Sequence, residues 1–344
     1  MLTIASDAHR AHVPKGEVID GGTPLPAPEV PERAERIRAE IVARSLGPVQ
    51  PPQPHGLDAA HRVHAPDYVE FLRTAYDEFL AGTGAAPGTE ATAYARPIRG
   101  QAVLRVVHPI AKIGWYSHDT DPIMAGTWSA TIDAVDIALT AGDELHHAGS
   151  GAVYALCRPP GHHASYDGLA GYCYLNNAAI VARAFADDGA RVAVLDVDFH
   201  HGNGTQAIFS EDPDLFFASL HADPADDYPY FSGFADERGV GRGEGTTLNY
   251  PLPPGTEWAA YSDALMGALA AIGEHGADTL VVSLGVDTAI EDADSFCLVG
   301  DDFKRLGNAI ATLKLPTLFV QEGGYCIDVI GRNVVNVLGA FEDA

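Results

Sequence analysis

Asp196, Asp198 and His200 alternate along the stretch Arg191 to Gly204, RVAVLDVDFHHGNG. Alternate residues of an extended chain share one face, so these side chains project together where the apolar run Val192 to Leu195 gives out. Asp198 and His200, joined by Asp287 of the SLGVDT stretch, offer a metal three protein ligands and leave a position for water and substrate. Two carboxylates and one imidazole suit Zn2+ and also accommodate Fe2+, Mn2+ or Co2+. His162 and His163 follow the rigid Arg158-Pro159-Pro160-Gly161 turn. Neighbours on a strand face opposite ways, but in a loop they can share a site, one taking a proton from water activated by the metal while the other holds charge. Asp196 and Asn203 are natural partners to orient the two imidazoles. Tyr325, after Gly323 and Gly324, can donate a hydrogen bond to a carbonyl oxygen as it becomes an oxyanion. Taken singly, each feature is commoner as plain structure; their convergence defines a metal-assisted amide hydrolase.

Convergence requires a scaffold that brings strand ends together. Short apolar runs at Leu2 to Ala5, Ala152 to Cys157, Arg191 to Phe199, Leu215 to Leu220, Thr279 to Leu284 and Thr317 to Val320 read as strands. Amphipathic patterns after Pro31, from about Pro66, and over Thr127 to His147, Asn176 to Asp187, Trp258 to Glu274, Asp302 to Leu313 and Asp328 to Phe341 read as helices. Strands alternating with helices predict a parallel sheet covered on both faces, with ligands at the carboxyl ends of the strands. Every motif named above falls at such an end, as does Leu220-His221, which places His221 toward the substrate. From Gly82 to Gly126 the periodicity lapses and Gly, Pro and Thr accumulate, so this segment is expected to be a functional or oligomeric insertion in a single domain spanning residues 1–344.

Composition narrows the partners. The chain carries 21 basic and 47 acidic residues, a net charge of −26, which repels nucleic acid and favours cationic small molecules. Hydrophobic residues make up 47% of the chain, enough for a large core, yet no apolar run is long enough to span a bilayer. The opening MLTIASDAHR has neither a basic n-region nor an apolar h-region, so a cytoplasmic protein without membrane contact is expected. The four cysteines, Cys157, Cys173, Cys297 and Cys326, form no CxxC pair and read as reduced core residues.

The blocks RPPGHHA, GYCYLNNAA, DVDFHHGNGTQ, FFASLHADP, SLGVDT and EGGY, in that order, resemble the signature blocks of the histone deacetylase superfamily over nearly the whole chain. The form of SLGVDT, Asn203, Tyr172 and the long insertion is similar to its acetylpolyamine amidohydrolase branch. The resemblance implies an arginase-deacetylase fold, an α/β/α three-layer sandwich around a mainly parallel eight-stranded sheet. It implies zinc held by Asp198, His200 and Asp287, His163 as general base and then acid, His162 as its electrostatic partner, and Tyr325 as carbonyl polariser. Tyr172 and Gly171 would line a tunnel for the alkyl chain. A structural K+ would be bound through Asp196, Asp198, His200, Ser219 and Leu220, and a second near Phe209, Asp212 and Leu215. Glu17 and Asp121 would meet the distal ammonium of an N-acetylated polyamine or diamine. Ile110 stands where a third acidic residue is expected, and His118 and Asp119 could compensate. The segment from Gly82 to Gly126 would pair two subunits as a homodimer and narrow the tunnel. A lysine deacetylase acting on peptides or proteins shares all of this chemistry, a ureohydrolase of the same fold would need two manganese ions, and an inactive acylamine-binding protein is the alternative of another class.

Overall fold

In a computed structural model, residues 1–18, 24–100, 102–148, 151–293 and 295–344 are described, except for the side chains of residues 17, 18, 24, 147 and 148. The elements run β1 (Leu2–Ile4), β2 (Glu17–Val18), β3 (Pro24–Leu25), α1 (Glu32–Ala43), β4 (Val49–Gln50), α2 (Asp58–His61), α3 (Pro66–Thr83), α4 (Pro109–Tyr116), α5 (Thr127–Ala148) and β5 (Ala152–Ala155). They continue with α6 (Asn177–Asp187), β6 (Val192–Asp196), α7 (Asn203–Phe209), β7 (Leu215–Ala222), β8 (Thr247–Leu252), α8 (Trp258–His275), β9 (Thr279–Leu284), α9 (Gly300–Ala311), β10 (Thr317–Gln321) and α10 (Ile330–Glu342).

Eight strands form one sheet in the order β4-β1-β5-β10-β9-β6-β7-β8. Every pairing in it is parallel, where the sequence predicts a mainly parallel sheet. Parallel strands must be covered on both faces, and the strand period of two divides the core accordingly. Val192 and Val194 of β6 pack with α3, α5 and α6 on one face. Ala193 and Leu195 pack with α1, α8, α9 and α10 on the other. All carboxyl ends therefore lie along one edge. There Asp196 of β6 stands in register with Ser219 of β7 and Ser283 of β9.

Several elements depart from the expectation. The outer strand β8 has no apolar run, because Asn249 and Pro251 interrupt it; proline is tolerated where one side of a strand pairs with nothing. After Gly202, Asn203 opens the short helix α7. The insertion contains α4, which begins with a proline at its first turn and is capped when His108 Nδ1 accepts from Ile110 N at 3.3 Å. Cys157 and Cys173 are buried, whereas Cys297 and Cys326 are half-buried; all four are free thiols. Among the described residues no helix is long and apolar enough to cross a membrane.

Candidate active site

Asp198 and His200 follow β6, and Asp287 follows β9, so neighbouring strands deliver them to one point. One ligand atom of each lies within 4.8 Å of the others. His200 Nδ1 is 3.5 Å from Asp198 Oδ1 and 3.5 Å from Asp287 Oδ2. The carboxylates are aimed by backbone amides: Asp287 Oδ1 accepts from Phe199 N at 2.9 Å, and Asp198 Oδ2 from Gly323 N at 2.7 Å. Asp287 Oδ2 is buried without a hydrogen-bond partner. Burial and the neighbouring Asp198 push the Asp287 carboxyl up to about 7. A buried pair of acids with an orphaned oxygen and an imidazole alongside fits a divalent cation. Glycine is required at position 323, because a Cβ there would fall on Asp287 Oδ2 and stand 2.5 Å from Asp198 Oδ2.

The two histidines after β5 have different partners and so different chemistry. His162 Nδ1 donates to Asp196 Oδ2 at 3.0 Å. Burial alone would depress its pKa, but Asp198 and Asp196 outweigh burial and push it up to about 10. His163 Nδ1 donates to Asn203 Oδ1 at 2.7 Å, a neutral amide. Burial, then the positive charge of His162 and of His200, holds His163 well below its usual range. The pair thus separates into a charged imidazolium and a neutral imidazole whose Nε2 can accept a proton. Glu322, after β10, supports the turn beneath them by accepting from Gly161 N at 2.7 Å and His162 N at 3.2 Å.

Tyr325 is fixed through its main chain, since Asp292 accepts from its N with both oxygens, at 3.0 and 3.2 Å. Burial keeps its phenol well above the usual value, hence a neutral donor. The Arg33 guanidinium lies over its ring, 4.6 Å from the centroid. Arg33 donates to Gly324 O at 2.6 Å and to Glu29 Oε1 at 2.8 Å, while Arg158 donates to Glu29 Oε2 at 2.8 Å. The buried Glu29 carboxylate therefore ties the Arg158 turn to the Gly323-Gly324-Tyr325 turn. Sequence reading missed Glu29 and Asp292; Glu29 and Arg33, four residues apart at the start of a helix, look like an ordinary surface pair.

Aromatic rings stand on two sides. Tyr172 is edge-on to Tyr325 at 5.7 Å. Tyr228, which the sequence did not single out, is edge-on to His163 at 5.0 Å and to His200 at 6.0 Å. His221 differs from expectation. It is fully buried, with Nδ1 bonded to Ser219 Oγ at 2.7 Å and Nε2 to Gly233 O at 2.8 Å, so it locks the chain after β7 instead of facing substrate. Asp121 is only 6% exposed, and its Oδ2 accepts from Tyr172 N at 2.7 Å, which places it beneath the wall. The backbone of Glu17 lies in β2, but its side chain is outside the described residues. Asp196, Ser219 and Leu220 are buried at the strand ends, whereas Asp212 accepts from Arg183 at 2.6 Å.

The fold and the site together define the class: the chain belongs to the histone deacetylase family, whose domain pattern matches residues 27–341. Within it, the chain is 48% identical to acetylpolyamine amidohydrolase 2 of Pseudomonas aeruginosa, over 99% of both chains. It is 46% identical to acetylpolyamine amidohydrolase 1 of the same organism, over 100% of this chain and 99% of that one. The crystal structure of the acetylpolyamine aminohydrolase from Burkholderia pseudomallei superposes with a TM-score of 0.93 at 39% identity, covering 99% of this chain and 98% of that one.

Proposed function

We propose that this protein removes acetyl groups from small N-acetylated polyamines or diamines, releasing acetate and a free amine. The observation that carries this reading is the group of buried Asp198 and Asp287 with half-buried His200, beside a neutral His163 and the Tyr325 phenol. Asp198, His200 and Asp287 would hold zinc. When bound, zinc supplies Lewis-acid polarisation of the acyl carbonyl and lowers the pKa of a water molecule. His163, held through Nδ1 by Asn203, takes the proton of the attacking water on Nε2 and returns it to the leaving amine. His162, paired with Asp196, keeps a positive charge beside the reacting centre. Tyr325 donates to the carbonyl oxygen as negative charge develops on it. A K+ ion near Asp196 and Ser219 would offset part of the buried acidic charge; a second at Phe209, Asp212 and Leu215 would compete with the Arg183 contact.

The amine side rests on the two relatives that match along their full length and on the net charge of −26, which concentrates cations. Within the insertion, Tyr94 is 77%, Ile98 73% and Leu104 91% exposed, an apolar surface suited to the expected homodimer. Sedimentation of the zinc-loaded protein should give a dimer.

The deciding assay compares kcat/KM for N-acetylputrescine, N-acetylcadaverine and an acetyl-lysine peptide. A clear preference for the diamines is expected. Equal or better turnover of the peptide would make the protein a lysine deacetylase, and no turnover of any acetylated amine would overturn the deacetylase reading itself.

A further inference from the structure

The turn Ala170 to Cys173 is closed by reciprocal bonds, Cys173 N to Ala170 O at 2.8 Å and Ala170 N to Cys173 O at 3.2 Å. Both central residues are left-handed, with φ of 54° at Gly171 and 65° at Tyr172. Glycine adopts that conformation freely, whereas tyrosine holds it only where its surroundings enforce it. The enforcement comes from the insertion. Asp119 Oδ2 accepts from Gly171 N at 2.7 Å, and Asp121 Oδ2 accepts from Tyr172 N at 2.7 Å. Successive amides of the strained turn thus donate to alternate carboxylates of Asp119-Thr120-Asp121.

Asp119 Oδ2 also accepts from the Tyr228 hydroxyl at 3.0 Å. A single oxygen therefore links the Gly171–Tyr172 side, next to Tyr325, with the Tyr228 side, next to His163 and His200. Asp119 is itself held, because Asp121 N donates to its Oδ1 at 3.2 Å and the Arg96 guanidinium donates to its carbonyl oxygen. Gly171 packs so closely on His163 that a Cβ would fall against the ring. Whatever fixes this turn fixes both the width of the approach and the seat of the base.

We propose that Asp119 is a positioning residue that sets the bore of the passage to the active site, joining its two aromatic sides through Gly171 and Tyr228, with Asp121 securing Tyr172. The proposal rests on the deacetylase reading and extends it to selectivity: the four-methylene chain of acetyl-lysine is the same as that of N-acetylputrescine, so by holding the walls together the acidic segment excludes the bulky peptide main chain that flanks an acetyl-lysine, without touching the substrate.

The test uses zinc-loaded wild type, Asp119→Ala, Asp119→Asn and Tyr228→Phe. Two quantities are read: the ratio of kcat/KM for an acetyl-lysine peptide to that for N-acetylputrescine, and amide hydrogen exchange over residues 168–175. Asp119→Ala should raise the ratio about tenfold and speed exchange at residues 170–173. Tyr228→Phe, which removes only the hydroxyl, should raise the ratio by a smaller factor. Asp119→Asn keeps a carbonyl oxygen to accept both bonds and should stay within about twofold of wild type. The proposal is overturned if Asp119→Ala and Tyr228→Phe leave the ratio unchanged, or if Asp119→Asn is as disruptive as Asp119→Ala. Should wild type prove inactive on every acetylated amine, the deacetylase reading fails separately. Exchange then decides the brace, and unaltered exchange in Asp119→Ala rejects it.

Discussion

At the floor of the site, Asp196, Asp198, His200 and Asp287 stand at the ends of β6 and β9, strands paired residue by residue from Val192–Thr279 to Asp196–Ser283. At the walls, Tyr172 and Tyr228 stand on irregular loops secured by hydrogen bonds to Asp121 and Asp119. The floor inherits its geometry from a buried sheet that cannot shift register without turning its apolar side chains out of the core. The walls hold theirs through side-chain acceptors that lie outside the sheet. On the proposed function, reaction chemistry rests on the rigid part, and choice of substrate on the part that can change by one residue.

The largest effect should come from breaking the floor. Asp287→Ala, by removing one of the three proposed zinc ligands, should lower kcat/KM by on the order of 10³ or more, since polarisation by a metal is worth several kcal/mol. The fall should be equal for every acyl amine; a variant that kept activity on one substrate class would break the comparison. Tyr325→Phe comes next, with kcat down by on the order of 10² to 10³ as one oxyanion donor is lost. Unchanged turnover would remove Tyr325 from its role.

Glu29→Gln probes the frame under the floor. It leaves Arg33 and Arg158 buried without their counter-charge, and breaking such a pair costs about 3–5 kcal/mol. A clearly lower Tm is expected, while a Tm within a degree of wild type would show that the frame does not depend on that charge.

The smallest effect belongs to the walls and depends on pH. His64 straps the loop before α6, with Nδ1 donating to Ser165 O at 2.8 Å and Nε2 accepting from Asn176 N at 2.9 Å. Burial pushes it from an ordinary 6.5 down to about 4. A depressed value means that the unfolded chain takes up this proton first. The contribution of His64 to stability is therefore complete above pH 6.5 and is lost as the pH falls toward 4. His64→Gln should lower Tm at pH 7 and flatten its decline between pH 6.5 and 4. An unaltered slope would show that His64 does not carry the acid sensitivity.

The same contrast explains what could be read from the sequence. DVDFHHGNG exposes its ligands because alternation along a strand is a local pattern, and the apolar runs before Asp196 and Asp287 mark where the strands stop. Nothing local links Asp119 to Tyr228, which lie 109 residues apart and meet only through the folded loops. His221 differs for a related reason: a histidine at a strand end looks placed toward substrate until both its nitrogens are found engaged with the protein itself. Asp121 is expected from the sequence to meet the distal ammonium of the substrate, but nothing local shows that a main-chain amide claims one of its oxygens.

The strand order carries a consequence for how the protein is made. β10 lies between β5 and β9 and alone connects β4-β1-β5 with β9-β6-β7-β8. During synthesis the chain carries two partial sheets with unpaired inner edges until this late segment leaves the ribosome. His162 and His163 follow a strand of one half, and Asp198, His200 and Asp287 follow strands of the other. The enzyme therefore has no partly active precursor, and a nascent chain stalled before β10 is expected to be sticky and inert, a client for chaperones until the seam closes.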